Sequence, residues 1–181
     1  MLKHRLPRGF TLIEIMVSLT VLGILLMVAL PSFSEWLQNQ QLRAASEATL
    51  NGLQVARAAA IQRNLLVQFQ ETSLPQTAWT VTEAGTVNVV QSRAHEEGSP
   101  NAQITATPAG ATTVTFAPLG NVVANLDGTS TVTQFDVSNP AGGSCQPGGP
   151  MRCLRLVISG GGSLRMCDPT STLPANDPRA C

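Results

Sequence analysis

Residues 10–30 form an apolar run in which Glu14 is the only ionisable side chain. At about 1.5 Å of rise per residue, a helix of this length covers roughly 30 Å, which is the thickness of the hydrocarbon core of a lipid bilayer. The run therefore predicts a membrane-spanning helix near the start of the chain. Any fold of the remaining residues has to begin from that helix.

The segment that precedes the run carries positive charge and no acid. Residues 1–9 contain Lys3, His4, Arg5 and Arg8. Basic residues that flank a membrane helix stay on the cytoplasmic side. We therefore expect this leader in the cytoplasm and the residues after the span on the opposite side of the membrane.

Glu14 is the second unusual feature of the span. A carboxylate inside an apolar span costs on the order of a few kcal/mol, so it is expected to have a partner. After Arg8 the next basic side chain is Arg43, which lies well beyond the apolar run. The partner is therefore expected to come from another molecule.

The residues around Glu14 carry a recognisable pattern. Residues 9–14, GFTLIE, after a short basic leader, resemble the processing signal of type IV pilins and of the pseudopilins of type II secretion. The resemblance implies that a prepilin peptidase cleaves between Gly9 and Phe10 and methylates the new amino terminus of Phe10. It also implies that Glu14 neutralises the N-terminal amine of a neighbouring subunit during assembly, which supplies the missing partner.

A simpler reading of the N-terminus is a plain signal anchor that happens to contain a glutamate. An ordinary secretory signal would place a small-residue cleavage site after the apolar run. Residues 29–32, ALPS, match such a site poorly. The pilin-like signal is therefore the favoured interpretation.

Beyond the span, a helical pattern continues to about Asn64. Small and apolar residues recur there at spacings of three and four, at positions 42, 45, 49, 53, 56 and 60. This spacing is typical of a helix with one buried face, and its many alanines would let a sheet approach closely. A short coiled coil with a partner protein is the alternative.

After Asn64 the sequence is rich in Thr, Val, Gly, Pro and Ser, with turn signals between short alternating runs. Candidate strands lie at 65–71, 79–83, 86–91, 102–107, 112–117, 131–137, 154–159 and 163–166. We interpret the triple glycine at 160–162 as a strand connector. The pattern predicts an α+β fold of the type IV pilin kind, in which one long N-terminal helix packs on an antiparallel β-sheet.

The chain has 181 residues, so the leader and span leave about 150 for one domain of moderate size. We divide it into a cleaved leader at 1–9 and a transmembrane and assembly helix at 10–30. The soluble half of the helix follows at 31–64, and a β-rich head at 65–181.

The C-terminal half resembles the FimT and FimU minor pilins and the related pseudopilin GspH. The resemblance rests on residues 115–120 (TFAPLG), 153–159 (CLRLVIS), 165–169 (RMCDP) and 176–181 (NDPRAC). It implies a minor type IV pilin that joins or primes the pilus tip or its assembly complex, with other major and minor pilins as partners. Such a protein starts in the bacterial inner membrane, with its head in the periplasm, and ends in the pilus. A minor pseudopilin of type II secretion is the alternative.

Four cysteines, Cys145, Cys153, Cys167 and Cys181, lie within the last 37 residues. Their spacings of 8, 14 and 14 lack the C-x-x-C pairs typical of zinc sites. They also lie on the far side of the membrane from the leader, in an oxidising compartment, so we expect two disulfides. Three pairings are open; short loop closure favours Cys145 with Cys153 and Cys167 with Cys181.

DNA is an alternative partner. Some FimT-like minor pilins bind DNA through a Gly-Arg-x-Arg motif just before a cysteine near the C-terminus. Residues 162–165 here, GSLR, keep only the second arginine. Guanidinium groups suit phosphate geometry, and the candidate contacts are Arg152, Arg155, Arg165 and Arg179. The competing interpretation is that these are solvated charges on a strand face and a disulfide loop.

Composition argues against two broad classes of function. Removal of the leader leaves eight basic and eleven acidic side chains, a formal charge of about −3, which is not the basic footprint of a nucleic-acid-binding protein. His95 is then the one remaining histidine. A single histidine argues against a catalytic triad and against a metal site built from histidines. We expect no enzymatic activity, no metal and no cofactor.

Overall fold

One long helix organises the molecule. The computed structural model describes residues 9–170, 172–174 and 176–181, and helix α1 runs from Leu12–Arg63. At about 1.5 Å per residue it is about 78 Å long. The hydroxyl of Thr11 caps it by accepting a hydrogen bond from the backbone N–H of Glu14 at 3.2 Å. Asn64 ends it in the left-handed conformation, with φ of 54°, so the predicted helix continues from the apolar run into the head.

The head is built from short antiparallel strands. Nine lie within the described residues: β1 (Val67–Glu71), β2 (Trp79–Glu83), β3 (Val89–Arg93), β4 (Gln103–Thr107), β5 (Thr113–Phe116), β6 (Val122–Val123), β7 (Gln134–Ser138), β8 (Leu154–Ile158) and β9 (Leu164–Cys167). All eight candidate strands are found, with ends that differ by up to three residues. The two-residue β6 has no counterpart in the prediction.

These strands form two sheets, whereas the sequence predicts one. The first has the order β3-β2-β1-β5-β6 and the second β4-β7-β8-β9. Strand β1 is the centre of the first sheet, with β2 on one edge and β5 on the other, whereas β4 pairs with β7 in the second sheet. The α+β fold class is confirmed, and the single sheet is wrong. Which strands pair with each other, when they are distant in the chain, is not visible in the local sequence pattern.

The core lies between α1 and the two sheets. The helix contacts strands of both sheets, and its predicted stripe is buried at Leu42, Ala45, Thr49, Leu53, Ala56 and Ala60. Phe69 of β1 joins the two halves of the core, because its ring centroid lies 5.5 Å from that of Trp79 in the first sheet and 6.0 Å from that of Phe135 in the second. The stripe is therefore the face on which the head packs.

The helix and the first sheet lie close together at Gly52. A Cβ atom there would lie 2.8 Å from the Phe69 ring and 2.9 Å from the Trp79 ring. The absence of a side chain at Gly52 thus allows the helix and the first sheet to lie close together there. This packing holds the C-terminal half of α1 inside the head and leaves the other half outside it.

Candidate functional site

The N-terminal half of α1 has an apolar surface that no described part of the chain covers. Its large apolar side chains are exposed from Leu12, at 78%, to Leu37, at 43%. By length and composition the helix could cross a membrane, and the 18-residue window that meets this test has a mean hydropathy of 2.5 and is 0% buried. Burial of this surface requires lipid or the helices of other molecules.

The predicted processing segment, Gly9 and Phe10, lies directly before this half-helix. Gly9 and Phe10 are exposed and precede the first helical residue, so the peptide bond between them lies outside regular structure. Glu14 occupies the first turn, and its backbone carbonyl accepts a hydrogen bond from the Ser18 hydroxyl at 2.7 Å. The positive end of the helix dipole favours a carboxylate there. No hydrogen bond or ion pair to its side chain is found within the described residues.

The cysteines at the other end of the chain form two short-loop disulfides. Cys145 is bonded to Cys153 and Cys167 to Cys181. The first closes a loop whose neighbours rest on α1, since the backbone N–H of Arg152 donates to the Asn39 side chain at 2.9 Å. The second ties the C-terminal residue to the end of β9. Of the three pairings open to the sequence, the structure adopts the one with the shortest loops.

The C-terminal tail packs against the second sheet through Arg165. Its guanidinium donates to the carbonyl of Pro178 at 3.2 Å and to that of Ala180 at 2.6 Å. The backbone N–H of Asp168 donates to the carbonyl of Arg179 at 2.7 Å. These hydrogen bonds from Arg165 hold the tail against the second sheet.

Removal of the tail disulfide is expected to lower the free energy of unfolding. The double variant Cys167→Ser/Cys181→Ser opens a loop of 14 residues, and chain-entropy arguments give about 2 to 3 kcal/mol for a loop of this size. Urea unfolding of the full chain in detergent, followed through tryptophan emission, measures this loss. A matched Cys145→Ser/Cys153→Ser variant should lose a similar amount, and no change in either variant would contradict the expectation.

The remaining candidate arginines differ in their surroundings. Arg155 forms an ion pair with Asp136 at 2.6 Å, and Arg179 one with Asp177 at 2.8 Å. The hydrogen bonds from Arg179 lower the pKa of Asp177 to about 2. Arg152 is exposed, and no hydrogen bond from its guanidinium is found within the described residues. Strand register places Arg155 and Arg165 on one face of the second sheet, but each already binds an oxygen of the chain itself.

The sequence does not predict a buried polar cluster at one end of the first sheet. Glu71 on β1 lies opposite Trp79, which lies opposite Arg93 on β3. Glu71 is 2% exposed, and neither carboxylate oxygen has a hydrogen-bond partner among the described residues. Burial raises the pKa of Glu71 to about 8, although the positive charge of Arg93 acts in the opposite direction.

Arg93 is held by the loop that follows β3. Its guanidinium donates to the Ser99 hydroxyl at 2.8 Å and to the carbonyl of Glu97. His95 lies in the loop after β3 and is half-buried. No group of three or more metal-ligating side chains occurs in the described part of the chain.

Comparisons with known proteins identify the family. Residues 5–30 match the prokaryotic N-terminal methylation motif, and residues 45–162, more than half of the chain, match the type II transport protein GspH. The chain belongs to the GspH family. With the methylation motif, this membership makes it a minor pilin or pseudopilin of the GspH kind.

A solved structure of a minor pilin shares the fold of this GspH family member. A crystal structure of the type IV minor pilin FimU of Pseudomonas aeruginosa is 17% identical, covers 74% of this chain and 92% of its own, and superposes with a TM-score of 0.50. A second crystal form of that FimU is 16% identical, with 74% and 97% coverage and a TM-score of 0.48. No curated protein matches the chain in sequence.

Membership of the GspH family agrees with the geometry of the site. The apolar half-helix and the methylation motif fit inner-membrane anchoring with a soluble head. The motif also implies processing by a prepilin peptidase and assembly with other pilins. Family and fold are those of pilin structural proteins.

Proposed function

We propose that this chain is a minor type IV pilin that joins or primes the pilus tip complex. Prepilin peptidase cleaves between Gly9 and Phe10 and methylates Phe10, and the helix then moves from the inner membrane into a bundle of pilin helices. Glu14 pairs there with the N-terminal amine of a neighbouring subunit. The periplasmic head faces outward and contacts other minor pilins.

The observation that carries the proposal is a lone carboxylate on an uncovered apolar helix. Every large apolar side chain of the segment before the head is exposed. Transfer of this apolar surface from water into lipid, or against other helices, is therefore favourable in free energy. In either setting an isolated Glu14 carboxylate is costly. A freshly cleaved amine from another subunit, placed at the helix start, neutralises it and sets the axial register of the two helices.

Loss of the Glu14 carboxylate is expected to block incorporation without blocking cleavage. The variant Glu14→Ala leaves the partner amine unpaired in an apolar bundle, at a cost of roughly 3 kcal/mol, or on the order of 100-fold in association. Incorporation is measured by immunoblot, as the amount of the chain in sheared pili relative to the amount in whole cells. The matched control is Glu35→Ala, which removes an exposed glutamate beyond the apolar run. Equal incorporation of both variants would contradict the pairing.

Substitution of Gly9 is expected to stop processing. The glycine precedes the scissile bond, and no heavy atom lies within 4 Å of the position that a Cβ atom would take there, so Gly9→Val leaves the described fold undisturbed. Mass spectrometry should find an N-methylated Phe10 terminus in the parent protein and an intact leader in the variant. A parent protein that begins at Met1 would overturn the proposal.

A minor pseudopilin of type II secretion is the second candidate, because residues 45–162 match the type II transport protein GspH. The two candidates differ in the assembly that requires the chain, which is the pilus for a minor pilin and the secretion system for a pseudopilin. Deletion of the gene is expected to abolish surface pili and leave export of folded periplasmic proteins unchanged. Loss of export with normal piliation would favour the pseudopilin.

The geometry does not favour DNA as a further partner. Among the described residues, the guanidinium groups of Arg155, Arg165 and Arg179 bind Asp136, two tail carbonyls and Asp177. Each would have to give up an internal partner to bind phosphate. Arg152 alone of the four candidates has no such partner in that part of the chain.

A further inference from the structure

Two aromatic side chains lie on α1 between the apolar run and the head. Phe33 is 60% exposed and Trp36 55% exposed, and their ring centroids are 5.8 Å apart. They are three residues apart and so share one side of the helix. Polar residues return at the same level, at Ser32, Ser34 and Glu35. The segment 32–36 thus mixes exposed aromatic rings with polar groups.

The head does not cover this aromatic pair. The polar contacts between the head and the helix begin at Gln38 and Asn39. The side-chain oxygen of Gln38 accepts a hydrogen bond from the Asn139 side chain at 2.8 Å, and the side-chain oxygen of Asn39 accepts one from the backbone N–H of Arg152 at 2.9 Å. The buried stripe begins at Leu42. The pair therefore lies just outside the head, on the side toward the N-terminus.

Its position along the helix agrees with the thickness of a bilayer. If residues 10–30 fill the hydrocarbon core, Phe33 and Trp36 lie about 5 and 9 Å beyond Leu30 along the axis. Helical side chains tilt toward the N-terminus, which brings both rings back toward the bilayer. The headgroup layer on each side is roughly 5–8 Å thick, so both rings fall inside it.

We propose that Phe33 and Trp36 form an interfacial anchor that seats in the headgroup layer of the outer leaflet while the chain resides in the inner membrane. The inference rests on the proposed function, because it needs the membrane-inserted form. The Trp36 ring, which carries a single polar N–H, favours this layer, and the apolar Phe33 ring packs beside it. The anchor fixes how far the helix is inserted before assembly. It also holds the head, whose contacts with α1 begin at Gln38 and Asn39, directly above the lipid.

Lipid rather than a second subunit is the favoured occupant of this face. The pair continues directly from the apolar span, and the serines and Glu35 beside it suit hydrated headgroups better than a dry helix interface. Trp36 also lies on the side of α1 away from the buried stripe, where the head does not hinder contact with the leaflet.

Depth-dependent quenching of tryptophan emission tests the anchor. The full chain is reconstituted at low density in phosphatidylcholine vesicles that carry bromine either near the headgroup or near the end of the acyl chain. The second tryptophan, Trp79, is 1% exposed in the core of the head and is shielded from lipid. The matched control is Trp36→Phe, which keeps an aromatic ring and removes the reporter.

Shallow bromine is expected to quench about twofold more strongly than deep bromine, as an interfacial ring requires, and this quenching should vanish in Trp36→Phe. If the chain withstands alkaline extraction from the vesicles yet neither label quenches Trp36, the anchor is wrong and membrane insertion stands. Quenching that appears only when vesicles are crowded with protein would assign the face to a second subunit, which also overturns the anchor. Release by alkaline extraction would overturn insertion itself and, with it, the membrane step of the proposed function.

Discussion

The variant Gly162→Ala is expected to lose on the order of 3 kcal/mol or more of unfolding free energy. Gly162 has φ of +78°, and a Cβ atom there would lie 1.8 Å from the carbonyl oxygen of Gly120. A side chain at positive φ costs about 1–3 kcal/mol, and the clash is with backbone, which cannot rotate away. The head has to open or shift for the methyl group to fit.

This close contact joins three parts of the head. The turn after β5 carries Gly120, the turn after β8 carries Gly162, and Arg57 on α1 donates to the Gly120 carbonyl at 2.9 Å. Nearby, the backbone N–H of Val122 donates to the carbonyl of Gly160 at 2.9 Å. Displacement of the Gly120 turn would therefore disturb the contacts among the helix and both sheets.

Urea unfolding of the full chain in detergent, followed through the emission of buried Trp79, measures the loss. The control comes from the same triple glycine. Gly160 has no atom within 4 Å of a Cβ position and no positive φ, so Gly160→Ala should stay within about 0.5 kcal/mol of the parent protein. Similar stability of the two variants would show that the contact at Gly162 is not required.

A rise in pH from about 5 to about 8 is expected to destabilise the head through Glu71. The folded pKa is about 8 against an ordinary value of 4.5, so between these values the folded protein keeps a proton that the unfolded chain releases. The unfolding free energy therefore falls as the pH rises through this window and levels off above it. Each pKa unit corresponds to about 1.4 kcal/mol, so the full effect is several kcal/mol.

The variant Glu71→Gln isolates this contribution. Glutamine has nearly the same shape and does not ionise, so the variant should lose most of the pH dependence and exceed the parent protein in stability at pH 8. Glu96→Gln, in an exposed loop position, is the matched control and should keep the parent slope. The measurement is the urea midpoint across the pH range. Parallel curves for the parent protein and Glu71→Gln would refute a buried protonated glutamate.

The N-terminal part of the molecule is the most predictable from sequence. The membrane-length apolar run, the leader charge and Glu14 are local patterns of composition and spacing, and a helix satisfies its own backbone hydrogen bonds without help from distant residues. The buried stripe of α1 follows from the same periodicity. The eight predicted strands are also local, since alternation and turn residues mark them within a few positions.

What the sequence by itself determined is therefore the helix, its buried face, the strand segments and the N-terminal methylation motif at residues 5–30. The tertiary structure alone decided the division into two sheets, the burial of Glu71 opposite Trp79, the contact of Gly162 with Gly120 and the internal partners of Arg155 and Arg165. Each of these depends on which segments meet across the fold and in what register. That outcome is set by the packing of many side chains together, and no short stretch of sequence records it.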